Sequence, residues 1–101
     1  MLISIDERAT HWFNKEYGFN KPFALRMFPQ YAGFGEKNKG FTLAFSAETP
    51  TNAGYVKEMN GITFYVEGND EWFFKETETY LTANALLDEI QITFKEHVPV
   101  N

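Results

Sequence analysis

Apolar residues recur along this chain with two different periods, and the switches between them predict its elements. Leu2 to Ile5 is a short apolar start that reads as a strand. Asp6 sits where an N-cap belongs, its carboxylate able to accept from the first free amides of a helix. Ala9, Trp12, Phe13 and Tyr17 then fall on one helical face. Glu7, His11 and Lys15 line the opposite face, and Gly18 ends the helix as a glycine past the last turn does.

Period-two patterning follows. Pro22 opens a strand over Phe23–Phe28 with Phe23, Leu25 and Met27 on one side, and Pro29 closes it. Residues 29–40 have no period and read as a loop. Gly40–Ser46 alternates, which points Phe41, Leu43 and Phe45 at a core, and a turn-rich stretch runs from Pro50 to Gly54. Tyr55–Met59 and Ile62–Val66 flank Asn60-Gly61, the pair favoured for a type I′ hairpin turn. Ile62, Phe64 and Val66 supply its inward face. Glu67–Asp70 reads as a polar loop, after which Trp72-Phe73-Phe74 packs back through one helical turn. Residues 79–90 fit two descriptions: Thr79–Thr82 reads as a strand, yet Ala83, Leu86, Leu87 and Ile90 have helical spacing. Ile90, Ile92 and Phe94 alternate as a final strand, and the tail from His97 reads as frayed.

The 101 residues suffice for one core, so a single domain over 1–101 is expected. Eleven Phe, five Tyr and two Trp dominate that core, and each ring can bury roughly 150–250 Å². The domain should therefore fold without disulfides or a structural metal. The chain has no cysteine, which fits a reducing compartment. It shows neither a signal-peptide pattern nor an apolar run near the roughly 20 residues of a membrane helix, so a cytoplasmic location is expected. Net charge is −5, concentrated in the second half, and no basic stripe is present. Nucleic acid and membrane are poor partners for such a surface.

Motifs for chemistry are absent or incomplete. Gly33–Gly40 is glycine-rich, but a strand follows it and no Gly-Lys-Ser/Thr is present, so it is not a phosphate loop. His11 and His97 lack a second ligand at metal spacing and read as surface histidines. Glu67, Asn69, Asp70 and Glu71 miss the spacing of a twelve-residue calcium loop and read as a solvated acidic turn. Glu76/Glu78 and Asp88/Glu89 are adjacent only in sequence. Arg26 stands opposite Leu25 and Met27, where its planar fork could clamp a carboxylate or brace a loop. No catalytic residue, metal site or cofactor is expected, and the chain is not expected to be an enzyme.

Several pieces taken in order carry a resemblance. They are Ile3-x-Ile5-Asp6-x-x-Ala9, Leu25-Arg26 leading to Tyr31-Ala32-Gly33, Gly40-Phe41-x-Leu43, and Gly61-Ile62-x-Phe64-x-Val66-Glu67. Together they resemble the HesB-like iron–sulfur cluster biosynthesis family, the A-type carriers, and its short, cysteine-poor branch in Gram-positive bacteria. The resemblance implies a mainly β fold, a β-sandwich or flattened barrel of about seven strands with one N-terminal helix. It also favours a strand near 79–82. In that family a cysteine follows the glycine after the second strand and a Cys-Gly-Cys lies near the C-terminus. Here Phe34 takes the first position, and Phe94–Val98 offers no thiol. Iron–sulfur clusters are held by soft thiolates, so the fold carries over and the cluster does not.

Two functions are expected on this basis. One is a non-catalytic accessory in iron–sulfur assembly or iron handling. The other is a protein-interaction or oligomerisation module, contacting a protein partner or a second copy through Tyr31 and Phe34, with Arg26 beside them; exposed aromatics often mark such surfaces.

Overall fold

The computed structural model describes residues 1–17, 22–33 and 40–96. Along these the elements are β1 (Leu2–Ile5), α1 (Glu7–Tyr17), β2 (Phe23–Tyr31), β3 (Phe41–Ser46), β4 (Ala53–Met59), β5 (Ile62–Glu67), a 3₁₀ turn (Gly68–Phe73), β6 (Thr77–Asn84) and β7 (Glu89–Glu96). Seven strands and one N-terminal helix among the described residues match the expected fold class. The strands form two mixed sheets, ordered β1-β6-β7 and β3-β2-β5-β4. The chain divides into two compact units. A helical unit draws on Met1–Gly18 and Phe74–Asn101, and a four-stranded unit on Phe19–Phe73.

In the helical unit β6 is the central strand, parallel to β1 and antiparallel to β7. Thr77, Thr79, Leu81 and Ala83 are buried while the residues between them are not. That alternation resolves residues 79–90 as strand, turn and strand. The helical alternative fails because β6 finds a hydrogen-bonding neighbour on each edge, which spacing along the chain cannot reveal. Leu86 and Leu87 accordingly lie outside the core, in the turn between Asn84 and Glu89.

Asp6 caps α1 as expected. Its Oδ1 accepts from the Ala9 amide at 2.9 Å and its Oδ2 from the Thr82 hydroxyl at 2.5 Å. The Asp6 amide in turn donates to the Leu81 carbonyl at 3.1 Å. One residue thus starts the helix and ties it to β6. Ala9 and Phe13 are buried from the predicted face, joined by Thr10, whose hydroxyl donates to the Glu7 carbonyl at 2.8 Å. Trp12 and Tyr17 are half-buried, and Glu7, His11 and Lys15 are exposed. Gly18 lies outside the described residues.

In the four-stranded unit the β4–β5 hairpin has the predicted turn. Met59 pairs with Ile62, and Asn60 and Gly61 take φ of 49° and 82°, the two positive values a type I′ turn requires. Ile62, Phe64 and Val66 are fully buried, as is Tyr65. Two expectations need correction. Pro29 does not close β2, which runs on to Tyr31 paired with β3. β5 accompanies β2 only through Arg26, so the far part of β2 has an edge at which a residue without an N–H is tolerated. In β3 only Leu43 is buried, while Phe41 and Phe45 are half-buried.

Candidate functional site

The last residues of β2, the first of β3 and the 3₁₀ turn assemble an aromatic surface on the four-stranded unit. Tyr31, at the end of β2 rather than in a loop, pairs in register with Phe41. Their rings meet edge to face with centroids 5.5 Å apart. Phe41 meets Trp72 in the same way at 5.5 Å, and Trp72 meets Phe73 at 5.8 Å. Such T-shaped contacts set the positive edge of one ring against the negative face of the next. Tyr31 is 72% exposed and Trp72 50%, while Phe73 is fully buried. The row therefore runs from solvent to core. Trp72 departs from the expectation that it packs back. Gly40, at φ 88°, lies under the Tyr31 ring, and a Cβ there would come within 2.6 Å of Tyr31 Cε1. A residue with a side chain at position 40 would displace Tyr31.

Arg26 anchors the turn that carries Trp72. Its Nη2 donates to Asp70 Oδ2 at 2.7 Å and its Nη1 to Glu48 Oε1 at 3.3 Å. The guanidinium also lies over Phe28, 4.8 Å from the ring centroid. The Asp70 hydrogen bond, with the nearby charges of Asp70 and Glu48, raises the already high Arg26 pKa despite partial burial. Arg26 thus braces a neighbouring turn, one of the two roles its position suggested. Glu67 accepts from the Thr51 and Asn52 amides at 2.9 and 2.7 Å, which hold its pKa below the ordinary value. The segment from Glu67 to Glu71 is therefore not a merely solvated acidic turn. Tyr65 completes the scaffold by donating to the Glu48 carbonyl at 2.7 Å, and burial pushes its hydroxyl pKa up.

Of the sequence-predicted contact residues, Tyr31 and Arg26 lie in this one unit, and Phe34 lies outside the described residues, as does His97. Trp72 was missed as a surface residue because its apolarity assigned it to the core, and alternation likewise assigned half-buried Phe41 to the core. In the helical unit a shallow groove of about 270 Å³ is lined by Arg8, His11, Trp12, Lys15, Asn84 and Asp88, with Ala83 and Ala85 between them. Among the described residues no three His, Asp or Glu side chains gather as a metal-binding group, and no helix is long and apolar enough to cross a membrane.

No family profile matches the sequence. The chain is 32% identical over 89 residues to a Bacillus subtilis (strain 168) protein named pyruvate dehydrogenase inhibitor, covering 88% of this chain and 94% of that one. It is 26% identical over 98 residues to an uncharacterized Staphylococcus saprophyticus protein, across 94% of this chain and all of that one. Among solved structures it is similar to Escherichia coli SufA, involved in biosynthesis of iron–sulfur clusters, with a TM-score of 0.59 and 15% identity over 94% of this chain and 80% of that one. It is also similar to IscA with a [2Fe–2S] cluster, with a TM-score of 0.62 and 10% identity over 94% and 85%. At these identities the two structures establish a shared fold.

Proposed function

The chain belongs to the family of the Bacillus subtilis pyruvate dehydrogenase inhibitor, on the HesB-like fold, and from that membership we propose that it is a non-catalytic inhibitor that binds pyruvate dehydrogenase. The family relationship, 32% identity across 94% of the relative, is the observation that carries this reading. The composition supports it from another side. A fold shared with SufA and IscA is present without a single cysteine, so the soft anionic ligands of a cluster are missing. What such a fold still offers is surface, and Tyr31 and Trp72 expose rings of the kind enriched in protein contacts. In this reading Tyr31 and Trp72 touch the partner, and Arg26 acts by holding the turn beneath Trp72.

Titration of the purified chain into a Bacillus pyruvate dehydrogenase complex tests the proposal. NADH formation from pyruvate should fall to a plateau as the chain approaches stoichiometry with the complex. An undiminished rate with the chain in large excess contradicts it. A second reading, an accessory role in iron–sulfur assembly or iron handling without cluster ligation, has the shared fold as its support. Deletion in cells separates the two. Loss of an inhibitor raises pyruvate dehydrogenase activity and leaves aconitase unchanged, whereas loss of an assembly accessory lowers aconitase.

A further inference from the structure

The strands at the edges of the two sheets are β1, β7, β3 and β4, and they differ in how they guard their unpaired backbone groups. An edge strand offers a row of free N–H and C=O groups to any chain that can pair with it. Folds blunt that row by shortness, bulges or inward-pointing charges. β1 has only four residues. β4 has a register shift between Ala53 and Tyr55, and Lys57, opposite buried Phe64, puts a charge on its inward face. β7 lacks all of these devices. It runs for eight residues, Glu89–Glu96, in unbroken register with β6 and without a proline. Among the described residues no strand pairs with its other edge. Its inward row, Ile90, Ile92 and Phe94, is apolar and only half-buried. β3 has no such device either, but Phe41–Ser46 includes no charge that would select one register over another.

The sequence of β7 is complementary to itself. Antiparallel pairing about Ile92 sets that residue against its own symmetry mate, Ile90 against Phe94, Gln91 against Thr93 and Glu89 against Lys95. Apolar residues then oppose apolar ones on the inward face, and polar oppose polar on the outward face. Unlike charges meet at both ends, where directly opposed pairs of unlike sign stabilise and like charges destabilise. Glu89 and Lys95 are exposed, and neither makes an ion pair among the described residues. Lys95 lies over the Tyr80 ring, 5.1 Å from its centroid. Glu78, opposite Lys95 on β6, accepts instead from the Tyr80 hydroxyl. A slip by one residue would set inward side chains against outward ones, and a slip by two would part Glu89 from Lys95. We propose that β7 is a homodimerisation edge, on which a second copy of this chain pairs its own β7 in the antiparallel register centred on Ile92. The two-fold axis closes the pair, so β7 keeps no edge for a third copy. This inference goes beyond the inhibitor reading and does not rest on it, because β7 belongs to the helical unit and Tyr31 and Trp72 to the other.

Sedimentation equilibrium of the whole chain over a range of concentrations tests the proposal, with circular dichroism to show that each variant is folded. The wild-type chain should sediment as a monomer–dimer equilibrium with no larger species. Glu89→Lys sets lysine against Lys95 at both ends of the pair and should weaken dimerisation roughly tenfold or more. Lys95→Glu should do the same with glutamates. An equimolar mixture of these two variants should dimerise again, one copy of each, because every opposed pair is then of unlike sign. The double reversal, Glu89→Lys with Lys95→Glu, should restore the homodimer. A variant that failed to fold could show neither rescue. A wild-type chain that stays monomeric at several hundred micromolar overturns the proposal. So does a wild-type dimer that neither single reversal weakens, since its interface then lies elsewhere. Single reversals that dissociate the dimer while neither the mixture nor the double reversal restores it overturn the register, and the proposal with it.

Discussion

Large apolar side chains reach solvent in both units, but different forces hold them there. In the four-stranded unit Tyr31, Phe41 and Trp72 lean on one another and finally on buried Phe73, so each ring is partly a packing residue. In the helical unit the Leu86 and Leu87 amides donate to Asn84 Oδ1, and the carbonyl of neighbouring Asp88 accepts from the Trp12 indole N–H. Their side chains are left out of the packing. Exposure alone therefore does not distinguish a contact residue from the rim of a core.

The largest stability effect should come from the scaffold of the aromatic surface. Arg26→Ala leaves Asp70, whose side chain is only 16% exposed, without its cation. Removing one partner of a buried pair costs about 3–5 kcal/mol, and partial exposure of this pair lowers the expectation to about 2–3 kcal/mol. Denaturant melts would measure it, and a loss below about 0.5 kcal/mol, the range of ordinary surface changes, would show that the pair does not hold the turn.

The comparison is sharpest in two truncations. Trp72→Ala removes two edge-to-face contacts, each worth about 0.5–1.5 kcal/mol, and should destabilise the chain by about 1–2 kcal/mol. Leu86→Ala should stay within about 0.5 kcal/mol of wild type. Equal losses in the same melt would erase the proposed difference between the surfaces.

The helical unit also contains a feature whose removal should help. The Thr79 hydroxyl is buried with no hydrogen-bond partner among the described residues. Replacing it with the near-isosteric Val removes an unsatisfied polar group from a strand, so Thr79→Val should stabilise by about 1 kcal/mol. A destabilised variant would mean that the hydroxyl is satisfied.

Acid should reveal the smallest effect, one carboxylate in each unit. Burial pushes Asp6 up, but hydrogen bonds from Thr82, the Ala9 amide and Arg8 together outweigh it and hold its pKa below the ordinary 3.8. Amides of Thr51 and Asn52 hold Glu67 below its ordinary 4.5. A carboxylate lowered in the folded state contributes stability that is complete above its unfolded pKa and is lost as pH falls through the folded one. Thermal midpoints should thus be insensitive to these groups near neutrality and decline below pH 4.5. Asp6→Asn and Glu67→Gln should each flatten that decline. Identical acid slopes in wild type and both variants would show that neither carboxylate is linked to folding.

What could be read ahead of the structure was local. The β4–β5 hairpin was legible because Asn60-Gly61 supplies both positive-φ positions and alternation begins immediately on either side. Helix α1 was legible because its cap, its buried face and its polar face lie within twelve residues. Tyr31 was legible as an exposed aromatic and Arg26 as a brace, but their partners were not. Asp70 lies 44 residues from Arg26, and no spacing rule predicts such a pair. Pro29 was misread because a proline ends a strand only where its missing N–H would have been used. Residues 79–90, with Leu86 and Leu87 at helical spacing, stayed open between strand and helix because the sequence does not record that β1 and β7 occupy both edges of β6.

Intrinsic preferences of short segments determined, without further help, the mainly β character, the capped N-terminal helix, the type I′ turn and the lack of any thiolate to hold a cluster. These depend on one residue's φ range, one carboxylate's reach or one element's absence from the composition. Which apolar residues are inside, which strand lies beside which, and which leucines and aromatics are left facing solvent were decided only by the tertiary structure. The reason is that burial and strand pairing belong to contacts between distant segments, and the same leucine is buried or exposed according to what the chain brings beside it.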